Sequence, residues 1–214
     1  MKIGILGSGT VGKTLGGRLA ERGHEVVVGS REPGKLKEWL GGVKGRAQAG
    51  TLAEAARHGE IVFNCTAGAG SLEALRLAGE ENLADKVLVD VANTLDFSKG
   101  LPPTLLVCNT DSLGEQIQRA FPRTRVVKAL NTMNALLMVD PARLAGGEHD
   151  LFLCGNDGEA KQRVTALVKN EFGWKSVIDL GDIGAARGME MSLPFWLRLY
   201  GVYQSPEFNY RIVR

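Results

Sequence analysis

The stretch that decides the fold is IGILGSGTVGKTLGGRLAERGHEVVVGSR, residues 3–31. Within it, Ile3–Leu6 is a short apolar run, and Val11–Ala20 places apolar and small residues on one helical face. Glu25–Val28 is a second run, rich in β-branched residues, which Gly29 stops. The stretch therefore predicts one strand-helix-strand unit with a glycine-rich turn after its first strand.

The same alternation of apolar runs and helical segments continues along the chain. We predict further strands at Ile61–Cys65, Lys86–Val91, Arg125–Leu130, Asp150–Cys154 and Ser176–Leu180. Helices are predicted at Gly34–Leu40, Thr51–His58, Leu72–Leu77, Ser112–Phe121 and Glu159–Asn170. This rhythm indicates an α/β fold of the Rossmann type, doubly wound, with a mostly parallel sheet covered by helices on both faces.

The C-terminal part of the chain breaks this pattern. From Ile183 to Tyr203 it is rich in Met, Leu, Trp and Phe, which predicts an apolar helix interrupted at Pro194. No polar linker, repeat or low-complexity segment divides the chain. We therefore expect residues 1–214 to form a single domain, with 183–214 as a C-terminal helical segment that needs a surface to pack on.

Composition excludes several classes of protein. With 214 residues, 44% hydrophobic and 23% charged residues, and 28 glycines without a period, the chain is not collagenous, disordered or a disulfide scaffold. A net charge of +2 is a small surplus for binding phosphate backbones, and no segment reads as a membrane span or secretory leader. We expect a cytoplasmic protein with no nucleic-acid or membrane partner. Cys65, Cys108 and Cys154 lie in apolar runs and are expected to be buried.

The glycine turn is the first candidate binding element. Gly7-Ser8-Gly9-Thr10-Val11-Gly12 follows a predicted strand and opens a predicted helix. In this context Gly7 permits the tight turn, Gly9 lets the backbone approach a pyrophosphate, and Gly12 lets the helix pack against the strand. The N–H groups and positive potential of the helix N-terminus favour an anion there. We predict a dinucleotide site; the alternative is a glycine turn that binds nothing.

The end of the second strand indicates which dinucleotide is bound. An acidic residue there would hold the ribose 2′-hydroxyl of NAD, but the chain reads Val28-Gly29-Ser30-Arg31. A hydroxyl followed by a guanidinium suits a phosphate monoester, and Lys35, one turn further on, adds a second cation. This predicts NADP(H), the alternative being that Arg31 is a solvated surface charge.

Three segments follow predicted strands and are expected at the carboxyl edge of the sheet, where the reacting ring would bind. They are Thr66-Ala67-Gly68-Ala69-Gly70, Ala92-Asn93-Thr94 and Asn131-Thr132-Met133-Asn134. All are small or neutral and polar, so we predict no catalytic acid or base there. Hydride transfer between two ring cofactors needs none, because it depends chiefly on distance and alignment.

Other ionisable residues are expected to be structural. His24, His58 and His149 lie at the opposite edge or in surface turns, and no cluster has metal-ligand spacing. We assign capping or surface pairing to Asp179, Asp182 and Glu190. Arg187 could pair with Glu190 inside a subunit contact.

Several segments together resemble the NADP oxidoreductases that depend on the deazaflavin coenzyme F420. The resemblance covers nearly the whole length and is more specific than the glycine motif alone. It is carried by residues 3–31, by Val126 to Met133, by Cys154-Gly155-Asn156-Asp157, and by Asp179-Leu180-Gly181-Asp182 with Ala186, Arg187 and Glu190.

The resemblance implies roles for individual residues. Ser8, Gly9, Thr10 and Val11 would hold the pyrophosphate, and Ser30, Arg31 and Lys35 the 2′-phosphate. Thr66, Ala67, Ala92 and Met133, Asn134 and Ala135 would surround the nicotinamide and the facing ring, with Asn93 and Asn131 in the same strand-end segments. Glu207-Phe208-Asn209 would lie near the second cofactor. Members of the family pair through their C-terminal helices, which implies a homodimer with 183–214 as the dimerisation segment.

Departures from the family concern the second substrate. Members that act on the deazaflavin carry His and Pro where this chain has Asn131 and Asn134. They carry Pro and a bulky residue where it has Ala67 and Ala69. Three functions are therefore open: hydride transfer between NADPH and a flavin-like or deazaflavin carrier, NADPH-dependent reduction of a small carbonyl or imine, and non-catalytic sensing of NADP(H).

Overall fold

A computed structural model describes residues 1–214, and its main feature is one eight-stranded sheet. Its strands are β1 (Lys2–Leu6), β2 (Glu25–Gly29), β3 (Arg46–Gly50), β4 (Ile61–Asn64), β5 (Val87–Asp90), β8 (Arg125–Ala129), β9 (Asp150–Gly155) and β10 (Ser176–Asp179). A separate two-stranded hairpin consists of β6 (Leu95–Asp96) and β7 (Thr104–Leu105).

Ten α-helices connect and flank these strands. They are α1 (Thr10–Glu21), α2 (Lys37–Gly42), α3 (Leu52–His58), α4 (Ser71–Ala78), α5 (Glu80–Leu83), α6 (Leu113–Ala120), α7 (Ala135–Val139), α8 (Gly158–Leu167), α9 (Ala186–Met191) and α10 (Leu193–Tyr203). Side-chain caps determine where several of them begin. Thr51 and Glu54 form a capping box on α3, and Ser112, Asn134 and Asp157 accept backbone N–H bonds at the starts of α6, α7 and α8.

The strand order confirms the predicted Rossmann-type α/β fold. Across the sheet the order is β10-β9-β8-β5-β4-β1-β2-β3, and all strands from β8 to β3 run parallel. β9 pairs antiparallel to β8, and β10 runs parallel to β9. The sheet is therefore mostly parallel, and the carboxyl ends of β1, β4, β5 and β8 meet at one edge.

Successive strand residues face two hydrophobic cores, one on each side of the sheet. Ile3 and Ile5 of β1 pack with α1, α7 and α8, whereas Leu6 packs with α3, α4 and α6. This alternation explains why the central strands are apolar on both faces. Helices must cover both sides before the sheet is shielded from water.

The structure adds elements that the pattern of the sequence did not predict. β3 reads RAQAG, which lacks the β-branched and aromatic residues typical of strands, and it forms the outer edge of the sheet. The hairpin β6–β7 and the short helix α7 were also missed. The predicted helix over Gly34–Leu40 is a 3₁₀ turn, Pro33–Leu36, followed by α2.

Residues 183–203 of the C-terminal segment are helical and apolar as expected, whereas residues 204–214 form no helix, and the break precedes Pro194. The chain turns at Ser192, and Pro194 lies in the first turn of α10, where its missing N–H removes no helical bond. Of α10 only Leu193 is buried, while Phe195 and Tyr203 are 57% and 62% exposed. No helix of the structure has the combination of length and apolar character needed to cross a bilayer.

Candidate cofactor site

The glycine turn has the conformation that its sequence predicts. Gly7 has φ +116°, its N–H donates to the Gly29 carbonyl, and a Cβ on it would lie 2.6 Å from the carbonyl oxygen of Cys65. A Cβ on Gly12 would lie 2.0 Å from the carbonyl oxygen of Gly7. The backbone thus requires glycine at both positions. A Cβ on Gly9 would meet nothing within 4 Å, so the fold itself leaves this position free and open to a ligand.

A cavity of about 420 Å³ opens beside this turn, between the carboxyl ends of β1, β2 and β4. Eight of the predicted cofactor residues line it: Gly7, Ser8, Gly9, Ser30, Arg31, Lys35, Thr66 and Ala67. A cavity of this size with glycine backbone on one wall and cations at one end fits a dinucleotide.

The cation end of the cavity is built around Ser30. Ser30 is buried, its Oγ lies 3.0 Å from the Oγ of Ser8, and it accepts a hydrogen bond from the N–H of Glu32. Arg31 is exposed on the cavity wall and makes no hydrogen bond or ion pair. Its guanidinium is therefore free to bind an anion.

Glu32 also lines this cavity, although it was not among the predicted site residues. Its Oε1 lies 2.8 Å from Nζ of Lys35. The hydrogen bond and positive charge of Lys35 lower the pKa of Glu32 below its ordinary value. The chain therefore does carry an acid near the end of β2. It lies two residues beyond Ser30, the position at which an NAD-binding acid is expected.

The remaining predicted residues do not line this cavity. Thr10, Val11 and Gly12 form the first turn of α1. Ala92, Asn93, Asn131, Met133, Asn134, Ala135 and Phe208 lie further along the carboxyl edge or in the C-terminal segment.

Asn93 and Asn131 join the strand ends of β5 and β8. Asn93 Nδ2 donates to the Asn131 carbonyl at 2.9 Å, and Asn131 Nδ2 donates to Asn93 Oδ1 at 3.0 Å. Leu130, directly before Asn131, is buried with φ +66°, a conformation that costs free energy in a non-glycine residue. The fold thus holds a strained turn at the edge where the second ring is expected.

The C-terminal tail reaches the same edge. Asn134 caps α7 through Oδ1, and its Nδ2 donates to the carbonyl of Pro206. Phe208 packs against Trp196 and Tyr203, with ring centroids 4.9 and 5.9 Å away. An aromatic cluster of α10 and the tail, defined by these three residues, therefore adjoins the segment that contains Asn134.

A buried charge network lies behind the strand ends. Lys128 Nζ is 2.8 Å from Asp90 Oδ2 and 2.9 Å from Glu190 Oε1, and it also donates to the Ala92 carbonyl. All three charged residues are at most 1% exposed. Burial opposes the charged form of Lys128, but the carboxylates of Asp90 and Glu190 outweigh it and raise the pKa of Lys128.

This network extends to the cavity wall through Asn64. Asp90 Oδ1 accepts from Asn64 Nδ2 at 2.8 Å, and Asn64 Oδ1 accepts from Thr66 Oγ1 at 2.6 Å. Asp90 Oδ1 also accepts from the N–H of Ala92. The buried charges therefore position two residues, Thr66 and Ala92, that were predicted to surround the nicotinamide.

Two expectations for this region were wrong. Glu190 is buried rather than at the surface, and it does not pair with Arg187. Its carboxylate accepts from Lys128 and from the N–H groups of Leu113 and Gly114, so the expected capping role is met at the start of α6. Arg187 pairs instead with Glu115, at 2.9 Å from Nε to Oε2. The sequence indicates that these residues are close but not which of them face the interior.

Cysteines and histidines do not form a reactive centre. Burial raises the pKa of the Cys65 thiol and raises that of Cys154 to about 12. Cys108 is exposed, against expectation, because it lies in a loop after the hairpin. His24 and His149 are buried rather than in surface turns, with the ring of His149 bonded to Asn209 and to the Pro141 carbonyl. No three His, Cys, Asp or Glu residues lie close enough to hold a metal ion.

Gly9→Ala is expected to leave folding unchanged but to weaken NADP⁺ binding at least about tenfold, or about 1.4 kcal/mol. The added methyl group meets nothing in the protein but occupies the place where a pyrophosphate would approach the backbone. Isothermal titration calorimetry measures the affinity and urea unfolding the stability. Gly41→Ala, also at a position with open space, is the control: it should leave NADP⁺ affinity unchanged and raise stability slightly, because Gly41 lies in α2. Equal NADP⁺ affinity in the two variants would contradict the assignment.

Comparison with known proteins agrees with this geometry. The family model described as NADP oxidoreductase coenzyme F420-dependent matches residues 2–94. A crystal structure of a candidate F420-dependent NADP reductase from Arthrobacter sp. FB24 is 54% identical, with a TM-score of 0.96 and full coverage of both chains. An imine reductase from Myxococcus stipitatus solved with NADP⁺ shares the fold at 18% identity, with a TM-score of 0.68 over 95% of this chain and 64% of its own.

Curated relatives include larger proteins. Metalloreductase STEAP3 of Rattus norvegicus is 32% identical over 199 residues, 91% of this chain and 38% of its own. Metalloreductase STEAP2 of Homo sapiens is 29% identical over 95% of this chain and 37% of its own. The chain thus spans about two fifths of the length of these relatives. The full-length match to the Arthrobacter structure, together with the family model, shows that the chain belongs to the coenzyme F420-dependent NADP oxidoreductase family.

Proposed function

We propose that this protein transfers a hydride between NADPH and a flat ring carrier of the flavin or deazaflavin type, such as coenzyme F420. The observation that carries the proposal is the carboxyl edge of the sheet. There, neutral side chains of Asn93 and Asn131 stand next to a cavity fit for NADP(H) and near the aromatic cluster of Trp196, Tyr203 and Phe208.

The chemistry needs little from the protein beyond alignment. Bound NADPH supplies a hydride from its dihydronicotinamide ring, and a flavin or deazaflavin takes up that hydride and one proton from water. The strand-end residues would hold the two flat rings at short distance, and the buried Lys128 network fixes the backbone of Ala92 among them. Neutral neighbours are compatible with this step because no group on the edge must give or take a proton.

We assign the cofactor residues by their places along the cavity and the sheet edge. Gly7, Ser8, Gly9, Thr10, Val11 and Gly12 would bind the pyrophosphate, and Ser30, Arg31 and Lys35 the 2′-phosphate. Thr66, Ala67, Ala92, Asn93, Asn131, Met133, Asn134 and Ala135 would surround the nicotinamide, with Phe208 beside the facing ring. The open space at Gly9 and the unpaired Arg31 support these assignments most directly.

We further propose that residues 1–214 form one NADP-binding domain and that 183–214 mediates a homodimer. The apolar surface of α10 supports this, since Phe195, Tyr200 and Tyr203 are all more than two fifths exposed. A second copy of the chain would shield these side chains from water.

The test is oxidation of NADPH by the purified protein, followed by nicotinamide absorbance, with coenzyme F420, FMN, riboflavin and ferric chelates as separate acceptors. We expect turnover with a ring carrier. NADPH deuterated at the transferring carbon should deliver its label to the deazaflavin, which accepts on carbon, and this distinguishes direct hydride transfer from electron transfer. Tight NADPH binding with turnover only on small imines or carbonyls, or with no turnover on any acceptor, would contradict the proposal.

A further inference from the structure

Glu32 places a carboxylate inside the cation end of the cofactor cavity. Its Oε1 holds Nζ of Lys35 at 2.8 Å, and its N–H donates to Ser30 Oγ at 3.1 Å. Arg31 is left as the cation of this end without an intramolecular partner. The site proposed for a 2′-phosphate therefore contains two cations, one of which is already paired.

The backbone keeps Glu32 in this position. Pro33–Leu36 is a single 3₁₀ turn that begins directly after Glu32, and the N–H of Lys35 donates to the Glu32 carbonyl at 3.1 Å. Leu36 is fully buried and anchors the turn in the core. Because residues three apart lie on the same side of such a turn, the carboxylate and the ammonium lie within reach of each other while the turn is formed.

A 2′-phosphate would compete with this arrangement. Phosphate bound by Ser30 and Arg31 would bring like charge close to the Glu32 carboxylate, and it would need Lys35 to leave that carboxylate. The ribose 2′-hydroxyl of NAD(H), in contrast, can donate a hydrogen bond to a carboxylate at the end of this strand. One and the same side chain thus disfavours NADP(H) and favours NAD(H).

We propose that Glu32 is a specificity-determining residue, which lowers the preference of this protein for NADP(H) over NAD(H) by sequestering Lys35. The inference rests on the proposed location of the 2′-phosphate site. The side chains of Glu32 and Lys35 are 66% and 71% exposed, so water screens the pair and the effect is several-fold rather than hundred-fold.

The experiment is isothermal titration calorimetry of NADP⁺ and NAD⁺ with the whole chain and its variants. Glu32→Gln is expected to raise the ratio of NADP⁺ to NAD⁺ affinity about three- to tenfold. Glu38→Gln removes an acid of the neighbouring cleft that makes no ion pair with Lys35, and it should leave the ratio unchanged. In the double variant Glu32→Gln/Lys35→Gln, much of the gain should disappear because the freed cation is absent.

The outcomes separate the inference from the function on which it rests. An unchanged or lower affinity ratio in Glu32→Gln, with wild-type NADP⁺ binding intact, would overturn the role of Glu32 alone. If Glu38→Gln raised the affinity ratio as much as Glu32→Gln does, the change would be an effect of net charge and not of the position of Glu32. Wild-type protein that binds no NADP⁺ would instead contradict the cofactor site. Added salt should reduce the rise in the affinity ratio of Glu32→Gln, since it screens the interaction between exposed charges.

Discussion

Lys128→Met is expected to lower the free energy of unfolding by about 3–5 kcal/mol. Lys128 is completely buried between Asp90 and Glu190, and its three donors are used by these carboxylates and the Ala92 carbonyl. Removing the ammonium leaves two carboxylates inside the protein without their counter-charge, and this cost exceeds the value of any single exposed ion pair.

Urea unfolding followed by tryptophan fluorescence measures the loss. Lys175→Met is the matched control, because Lys175 pairs with Glu148 and both side chains are more than half exposed, so the loss should be below about 1 kcal/mol. The triple variant Asp90→Asn/Lys128→Met/Glu190→Gln should recover part of the stability, since no buried charge remains. The recovery is incomplete because Leu113 and Gly114 donate to different oxygens of Glu190, and an amide has only one oxygen to accept with. A loss in Lys128→Met no larger than in Lys175→Met would contradict the buried network.

The alkaline range supplies a second readout of the same network. The folded state raises the pKa of Lys128, so its stabilising contribution is complete below the ordinary lysine pKa of 10.5 and is lost as the pH rises beyond it. Lys128→Met lacks this contribution. The difference in unfolding free energy between the wild type and the variant should therefore narrow above about pH 10.5.

Local sequence signals explain why the part of the site around the glycine turn, Ser30 and Arg31 was predictable. The glycine turn, Ser30 and Arg31 follow one another within 29 residues, and each position has a requirement that a sequence displays directly, such as a positive φ at Gly7. The mostly parallel sheet follows from the alternation of apolar strands and helices, but the order of the strands and the antiparallel direction of β9 were not predicted. The edge strand β3 was not predicted, because it is only slightly buried and its residues are poor strand formers.

The buried network of Lys128, Asp90 and Glu190 depends on tertiary contacts, which local sequence signals do not reveal. A lysine inside the apolar run Arg125–Leu130 requires a buried acid, but the sequence does not indicate that Asp90 is that acid. Glu190 comes from a distant helix, and only tertiary packing brings it to Lys128. The same holds for the contact of Asn134 with Pro206, which no spacing in the sequence indicates.

Arg31→Ala is expected to weaken NADP⁺ binding by about 1.5–3 kcal/mol, or about 10- to 150-fold, with NAD⁺ binding nearly unchanged. Arg31 stands at the cation end of the cavity with no partner in the protein, so no existing ion pair must break before it binds a 2′-phosphate. Lys35 replaces it only in part, because its ammonium must first leave the Glu32 carboxylate.

Two further variants make this assignment specific. Arg31→Lys keeps the charge but loses the planar, two-pronged geometry of the guanidinium, so its NADP⁺ affinity should fall between those of the wild type and Arg31→Ala. Arg57→Ala removes an exposed arginine outside the cavity and should leave both affinities unchanged. Calorimetric titration with NADP⁺ and NAD⁺ gives all of these values. If Arg31→Ala weakened the two nucleotides equally, the guanidinium would act on a part that both share, such as the pyrophosphate, and the 2′-phosphate would have to bind elsewhere.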